Sequence, residues 1–195
     1  MKTANSTLPL FPLRTVLFPG GELGLRIFEP RYLRLVRECA KQQSDFAIAL
    51  LLEGHEAHAS TVTAKVATSA RIIDFDTLPD GLLGIRVQGQ SRIRLQSVQC
   101  QDDGLAVANV EFLADQPSGP VRPEHLILDT LLEHVLIQAG GPHAQASKQT
   151  RDDPHWLSYR LAELLPLQDD ARQHLLQLDC PHARLDALIA AIPSL

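Results

Sequence analysis

Residues 8–35 read LPLFPLRTVLFPGGELGLRIFEPRYLRL, and this stretch decides the fold of the first half of the chain. The two prolines within residues 8–13 restrict their own φ and the residue before them, so this arm is predicted to run extended. The glycines of residues 19–21 predict a turn, because glycine accepts a positive φ. Residues 23–27 alternate apolar side chains as a half-buried strand does. Pro30 suits the first position of the helix predicted after it.

The middle of the chain predicts closely spaced strands. Residues 45–52 form an apolar run that is typical of a buried strand, and residues 61–75, rich in threonine and valine, predict one long or bent strand. Further strands are predicted at residues 83–87, 93–95 and 105–113, separated by turns that contain glycine and aspartate. Strands so close in sequence favour a small barrel or rolled sheet over alternating strands and helices.

The composition changes at residues 114–123, ADQPSGPVRP, where three prolines, a glycine and a serine fall within ten residues. This change predicts a boundary between a barrel over residues 1–115 and a helical bundle over residues 122–195. The fold class is therefore predicted to be α+β. Four helices are predicted after the boundary, at residues 124–139, 154–165, 170–178 and 181–192.

Several short motifs together resemble the Lon N-terminal domain family. They are IFEPRY at residues 27–32, LPDG at 78–81, DPHWL at 153–157, LLPL at 164–167 and LLQLD at 175–179. The match covers almost the whole chain. The resemblance implies a partly closed β-barrel of the PUA-like class, followed by helices.

The resemblance also implies a function, because the domain helps that family to capture unfolded or tagged proteins. It implies a noncatalytic polypeptide-recognition module, with unfolded or tagged polypeptides as partners and a separate protease or chaperone as a further partner. The predicted binding residues are Phe18, Pro19, Phe28, Glu29, Arg31 and Tyr32. Three of them also have an alternative without a binding role: Glu29 hydrogen bonds to backbone donors at the helix start, Tyr32 packs its ring in the core, and Arg31 is solvated.

The sequence carries no motif for catalysis, cofactor or metal. It has no phosphate-binding Gly-x-x-x-x-Gly-Lys loop, and none of its four lysines lies near a serine in a recognisable turn. We therefore predict no enzymatic activity and no cofactor. His55 and His58 are spaced three residues apart, one short of the zinc-binding helix motif, and Cys180 and His182 lack a second ligand pair, so no metal site is predicted.

Charge and composition restrict the partners and the compartment. A net charge of −5 over 195 residues argues against general nucleic-acid binding. Three scattered cysteines are typical of reduced thiols, and the N-terminus lacks the apolar run of a signal peptide. The apolar run at residues 46–52 is too short to cross a bilayer. These features predict a cytoplasmic protein that does not bind membranes.

Two alternative functions stay open at this point. The first is an RNA-binding adaptor, prompted by the PUA-like resemblance and by a cluster of three arginines, Arg86, Arg92 and Arg94. The second is a small-molecule hydrolase that uses a pocket between the two parts of the chain. No pairing of a nucleophile with a base in the sequence supports the hydrolase.

Overall fold

The computed structural model describes residues 5–53 and 62–192, and the chain divides into two units, Met1–Ala114 and Asp115–Leu195. Seven strands and one helix are described in the first unit. The strands are β1 (Asn5–Leu13), β2 (Glu22–Ile27), β3 (Phe46–Glu53), β4 (Val62–Thr63), β5 (Val66–Thr77), β6 (Leu83–Cys100) and β7 (Ala106–Phe112). Helix α1 (Pro30–Gln42) connects β2 to β3 and begins at the predicted proline.

The sheet of the first unit closes on itself. β1 runs antiparallel to β7, as in the pair of Leu8 with Ala108, and parallel to β3, as in the pair of Phe11 with Ile48. The order β1-β7-β6-β5-β3 therefore returns to β1 and forms a ring. Among the described strands, β2 pairs only with β6 and β4 only with β3. The predicted partly closed barrel is confirmed.

β1 and β3 are buried on both faces. Phe11 and Ile48 belong to one core cluster, together with the inner face of α1, whereas Leu10 and Ala47 belong to a second cluster. Successive side chains of a strand point to opposite faces, so these two strands separate the two clusters. This position explains why the arm is apolar at almost every residue. The α1 side chains in the first cluster are Tyr32, Leu35, Val36 and Cys39.

Two predicted strand boundaries were wrong. Residues 83–87 and 93–95 belong to a single strand, β6, which is 18 residues long because it pairs with β2, β5 and β7 along its length. The predicted strand at residues 61–75 is divided at Ala64 and Lys65, since the Ala64 N–H donates to the Leu50 carbonyl at 2.9 Å. Residue 61 lies outside the described residues.

The second unit is helical, as predicted for the C-terminal part. Its helices are α2 (Leu126–Ala139), α3 (Lys148–Arg151), α4 (Pro154–Leu164), α5 (Asp169–Gln177) and α6 (Pro181–Ala191). Asp153 caps α4 by accepting a hydrogen bond from the His155 N–H at 2.9 Å. Within the ranges that the structure describes, no helix has both the length and the apolar character needed to cross a membrane.

An ion-pair network connects α3 to α2 through a buried carboxylate. Lys148 Nζ lies 2.6 Å from Asp129 Oδ2, and Arg151 Nε lies 2.8 Å from Asp129 Oδ1. Burial by itself raises the pKa of Asp129, but the hydrogen bonds from Lys148 and Arg151 outweigh burial and hold the pKa below its ordinary value. The short helix α3 is therefore held in place by charge.

We expect Asp129→Asn to lower the free energy of unfolding of the second unit by about 1–2 kcal/mol at pH 7. The folded-state pKa of Asp129 is lowered. The contribution of the Asp129 carboxylate to the free energy of unfolding is therefore complete when the pH is above the ordinary aspartate pKa of about 3.9. It is lost as the pH falls through the folded-state pKa. Urea unfolding followed by the fluorescence of Trp156, the one tryptophan of the sequence, measures this difference.

The control for this prediction is Glu124→Gln, since Glu124 is exposed and its ion pair with Arg122 is 4.0 Å long. This variant should differ little from the wild type at any pH. The difference between Asp129→Asn and the wild type should be constant from about pH 7 to pH 5 and shrink below about pH 4. A difference that does not change with pH would contradict the ionic origin of the contribution.

Candidate functional site

Two of the predicted binding residues are core residues. Phe18 is fully buried and Tyr32 is 3% exposed, so neither offers its side chain to a ligand. The Tyr32 ring stacks on Phe11 from β1, with ring centroids 3.9 Å apart. The prediction that Phe18 and Tyr32 bind a polypeptide is therefore wrong. The turn after β1 places Phe18 in the core, and α1 places Tyr32 against the sheet.

Glu29 and Arg31 connect the start of α1 to the turn between β6 and β7. Arg31 Nε donates to Glu29 Oε2 at 2.9 Å, and Arg31 Nη1 donates to the Gly104 carbonyl at 3.0 Å. The guanidinium also lies over the Tyr32 ring, 4.4 Å from its centroid. These contacts occupy both side chains within the first unit, so we assign them a structural role.

Phe28 is the most exposed of the predicted binding residues, and Pro19 is partly buried. Phe28, which directly follows β2, is 62% exposed. Pro19 is half-buried in the turn that Gly20 completes with a φ of 74°. An aromatic ring that is exposed to this extent is available to a partner.

The three arginines of the RNA-binding alternative do not form a surface patch. Arg92 is 1% exposed, so it contributes no charge to the surface. Arg86 is exposed but pairs with Asp74 at 2.7 Å and with Glu22 at 4.0 Å. Only Arg94 is exposed without a carboxylate partner among the described residues. Of these three arginines, an RNA phosphate backbone would contact one that is not neutralised, and this disfavours the RNA-binding alternative.

Exposed apolar side chains of the first unit lie on a surface that we call the strand extension. It consists of β2, residues 83–88 of β6 and residues 71–77 of β5. Leu25 pairs with Ile85, and Ile85 pairs with Phe75. β5 pairs with β3 only at residues 68–70, so beyond them β6 is its one partner among the described strands. The extension thus has two strand edges without a sheet partner in the described part of the chain.

Phe75 is the most prominent residue of the strand extension. It is 52% exposed, and its neighbour Ile73, at a shift in the pairing register, is 43% exposed. Sequence reasoning missed both, because the alternating pattern of β5 predicts a strand but does not show where the covering core ends. The one signal in the sequence for an exposed binding residue was the position of an aromatic residue, Phe75, at the end of the predicted strand.

Phe75 separates two hollows. One has a volume of about 480 Å³ and lies along Gly24, Leu78 and Ile85, and the other has a volume of about 360 Å³ and reaches Cys39 at the end of α1. Burial raises the pKa of the Cys39 thiol, so this group is protonated and uncharged at neutral pH. The surface around Phe75 can thus bury apolar groups, and the Cys39 thiol beside it is not activated as a nucleophile.

Metal binding has no support in the described residues. No group of three or more histidine, cysteine, aspartate or glutamate side chains within residues 5–53 and 62–192 could hold a metal ion. The three cysteines are free thiols, of which Cys100 is exposed. His55 and His58 lie outside the described residues.

The fold defines the class of protein: a partly closed β-barrel followed by helices, as in Lon N-terminal domains of known structure. The family model of the ATP-dependent protease La (LON) substrate-binding domain matches residues 7–192. The chain belongs to this family, and the predicted resemblance is confirmed.

Known proteins similar to the chain agree with this family. The crystal structure of a Lon N-terminal domain protein from Xanthomonas campestris is 42% identical, with a TM-score of 0.79, and the match covers 95% of this chain and 98% of that one. A LON peptidase N-terminal domain and RING finger protein from Schizosaccharomyces pombe is 26% identical over 94% of this chain and 44% of the relative. The Lon protease of Cytophaga hutchinsonii is 28% identical over 89% of this chain and 22% of the relative. The chain thus spans less than half of each of these two relatives.

Proposed function

We propose that this chain is a noncatalytic recognition module that captures unfolded polypeptides on the strand extension of its first unit. The observation that carries this proposal is the exposure of Phe75 on the strand extension and of Phe28 directly after β2, in a chain of a substrate-binding family. Exposed aromatic side chains lose contact with water when a polypeptide covers them, and this is the main driving force for association.

The free edge of β2 supplies a second mode of contact. β2 pairs only with β6 among the described strands, so its other edge presents main-chain donors and acceptors. An extended polypeptide can bind such an edge through backbone hydrogen bonds, which do not depend on its side chains. This mode suits a module that recognises many unfolded sequences.

We further propose that captured polypeptides pass to a separate protease or chaperone. The relatives support this step, because two of them are whole Lon protease and RING finger proteins in which the region similar to this chain makes up 22% and 44% of the length. In those proteins, the region similar to this chain is thus part of a longer chain, and one of the two is a protease.

We expect the double variant Phe28→Ser with Phe75→Ser to bind an unfolded polypeptide at least about tenfold more weakly than the wild type, because aromatic anchors dominate most interfaces. The probe is a fluorescein-labelled polypeptide kept unfolded by reduction and alkylation of its cysteines. Fluorescence anisotropy at several salt concentrations measures the dissociation constant. Apolar contacts should make the affinity nearly independent of salt.

The matched control is Ile137→Ser, which removes an apolar side chain that is 72% exposed on α2 in the second unit. This variant should bind like the wild type. An equal loss in both variants, or full binding by the double variant, would contradict the proposed site. Binding of a labelled single-stranded RNA that falls steeply with salt would instead favour the RNA-binding alternative.

A further inference from the structure

The larger hollow of the strand extension is open because residue 24 has no side chain. A Cβ atom built on Gly24 would have no atom within 4 Å. The neighbouring glycine differs, since a Cβ on Gly84 would lie 3.0 Å from Leu78 Cδ2. Leu78 therefore covers Gly84 and forms a wall, and the hollow of about 480 Å³ opens over Gly24.

Neither the backbone nor the packing requires glycine at position 24. Its φ is outside the left-handed region, and the space beside it is empty. Glycine weakens the interior of a strand, and there it often marks a site that another backbone or a ligand approaches closely. Large side chains from an adjacent strand are known to cover such edge glycines. The hollow thus matches a partner side chain that would lie over Gly24 and against Leu78.

The charges around the hollow favour a positively charged partner. Four carboxylates, from Glu22, Asp74, Asp76 and Asp80, face only two arginines. Arg26 pairs with Asp80, and Arg86 pairs with Asp74. Asp76 has no ion-pair partner within the described ranges and lines the hollow directly. A basic residue of a bound polypeptide would meet an unneutralised carboxylate here.

We infer that the hollow over Gly24 binds a large apolar side chain of the captured polypeptide and prefers a chain in which basic residues flank that side chain. This inference rests on the proposed capture of polypeptides and names the class of segment that is recognised. The apolar side chain contributes affinity because it is removed from water against Leu78 and over Gly24. Asp76 makes the site prefer polypeptide segments in which basic residues flank the apolar side chain.

The test uses Gly24→Val in the full chain with three labelled peptides that lack a stable fold. One has a central phenylalanine between lysines, the second has the same phenylalanine between aspartates, and the third has serine between lysines. The wild type should bind the first peptide about two- to fivefold more tightly than the second at low salt, as expected for an exposed ion pair. It should bind the third at least about tenfold more weakly than the first.

Gly24→Val should weaken binding of the first peptide at least about tenfold, because the valine side chain occupies the hollow. Valine suits a strand, so the variant should fold, and urea unfolding checks this. The control is Gly119→Val, at a second exposed glycine with no atom within 4 Å of the added Cβ, and it should bind like the wild type. Asp76→Asn should remove the preference for lysine over aspartate flanks.

The outcomes separate this inference from the function on which it rests. If Gly24→Val binds the first peptide like the wild type, or if the two phenylalanine peptides bind equally, the inference is overturned while capture of the alkylated polypeptide still stands. If the wild type binds neither the alkylated polypeptide nor any peptide, both the inference and the proposed function are overturned.

Discussion

Gly89→Ala is expected to destabilise the first unit by about 3 kcal/mol, the upper end of the usual cost of overpacking. A Cβ on Gly89 would overlap the Phe18 carbonyl oxygen and lie 3.0 Å from the Phe18 carbonyl carbon. Both are backbone atoms, so no side chain can rotate away. The turn before β2 is also hydrogen bonded to this residue, with the Gly20 N–H donating to Gly89 at 2.8 Å and the Gly89 N–H donating to Gly21 at 2.9 Å. Moving the turn would break these bonds.

Amide hydrogen exchange in β6 and β2 measures this effect, because the tryptophan lies in the second unit. The matched control is Gly24→Ala on β2, where the added Cβ meets empty space. Alanine there should leave stability unchanged or raise it by about 0.4–1 kcal/mol, since it restricts the unfolded chain. If Gly89→Ala is as well protected from exchange as Gly24→Ala, the close approach of Phe18 to β6 is not a constraint on the fold.

Arg184→Met is expected to lower the free energy of unfolding of the second unit by at least about 2 kcal/mol, since several buried acceptors lose their donor. Arg184 lies on α6, is fully buried, and makes four hydrogen bonds to neighbouring helices. It donates to the Leu175 and Leu178 carbonyls at the C-terminal end of α5, where a cation is favoured by the helix dipole. It also bonds Ser158 Oγ at 2.9 Å on α4. Methionine fills the volume but leaves buried acceptors without donors.

Trp156 fluorescence during urea unfolding measures this loss within the second unit. Arg184→Lys should be destabilised to a similar degree, because an ammonium group cannot reach acceptors on two helices as the planar guanidinium does. Arg172→Met is the control, since its Nη2 donates at longer distances, 3.2 Å to Leu165 and 3.4 Å to Glu163. A loss at position 184 no larger than at position 172 would show that the buried guanidinium does not hold these helices together.

Much of the fold could be predicted from the sequence because its signals are local. Proline at residues 30, 154 and 181 marks the starts of α1, α4 and α6. Glycine marks the turns at Gly20 and Gly81, where φ is 74° and 82°. The motifs of the Lon N-terminal family also lie within short stretches. The strand pairing was harder to predict: a turn was predicted between residues 87 and 93, but β6 continues through this segment because it pairs with β2, β5 and β7.

Much less of the candidate site could be predicted, since exposure depends on which segments meet. Phe18 and Phe28 are both aromatic and lie in one stretch of sequence, yet the first is fully buried and the second is 62% exposed. Phe75 sits where the core ends, and no local pattern marks that point. Gly24 and Gly89 are likewise similar in sequence context, but only Gly89 meets another backbone.

The sequence by itself therefore determined the family of this protein, the starts of α1, α4 and α6, and the turns at Gly20 and Gly81. These properties follow from φ preferences and from apolar periodicity, which act over a few residues. The tertiary structure alone decided that β1 joins β3 to close the sheet, that Arg184 lies inside the helical unit, and that Phe75 and the hollow over Gly24 are open to solvent. Burial is set by contacts between residues far apart in the chain, and such contacts leave no local pattern.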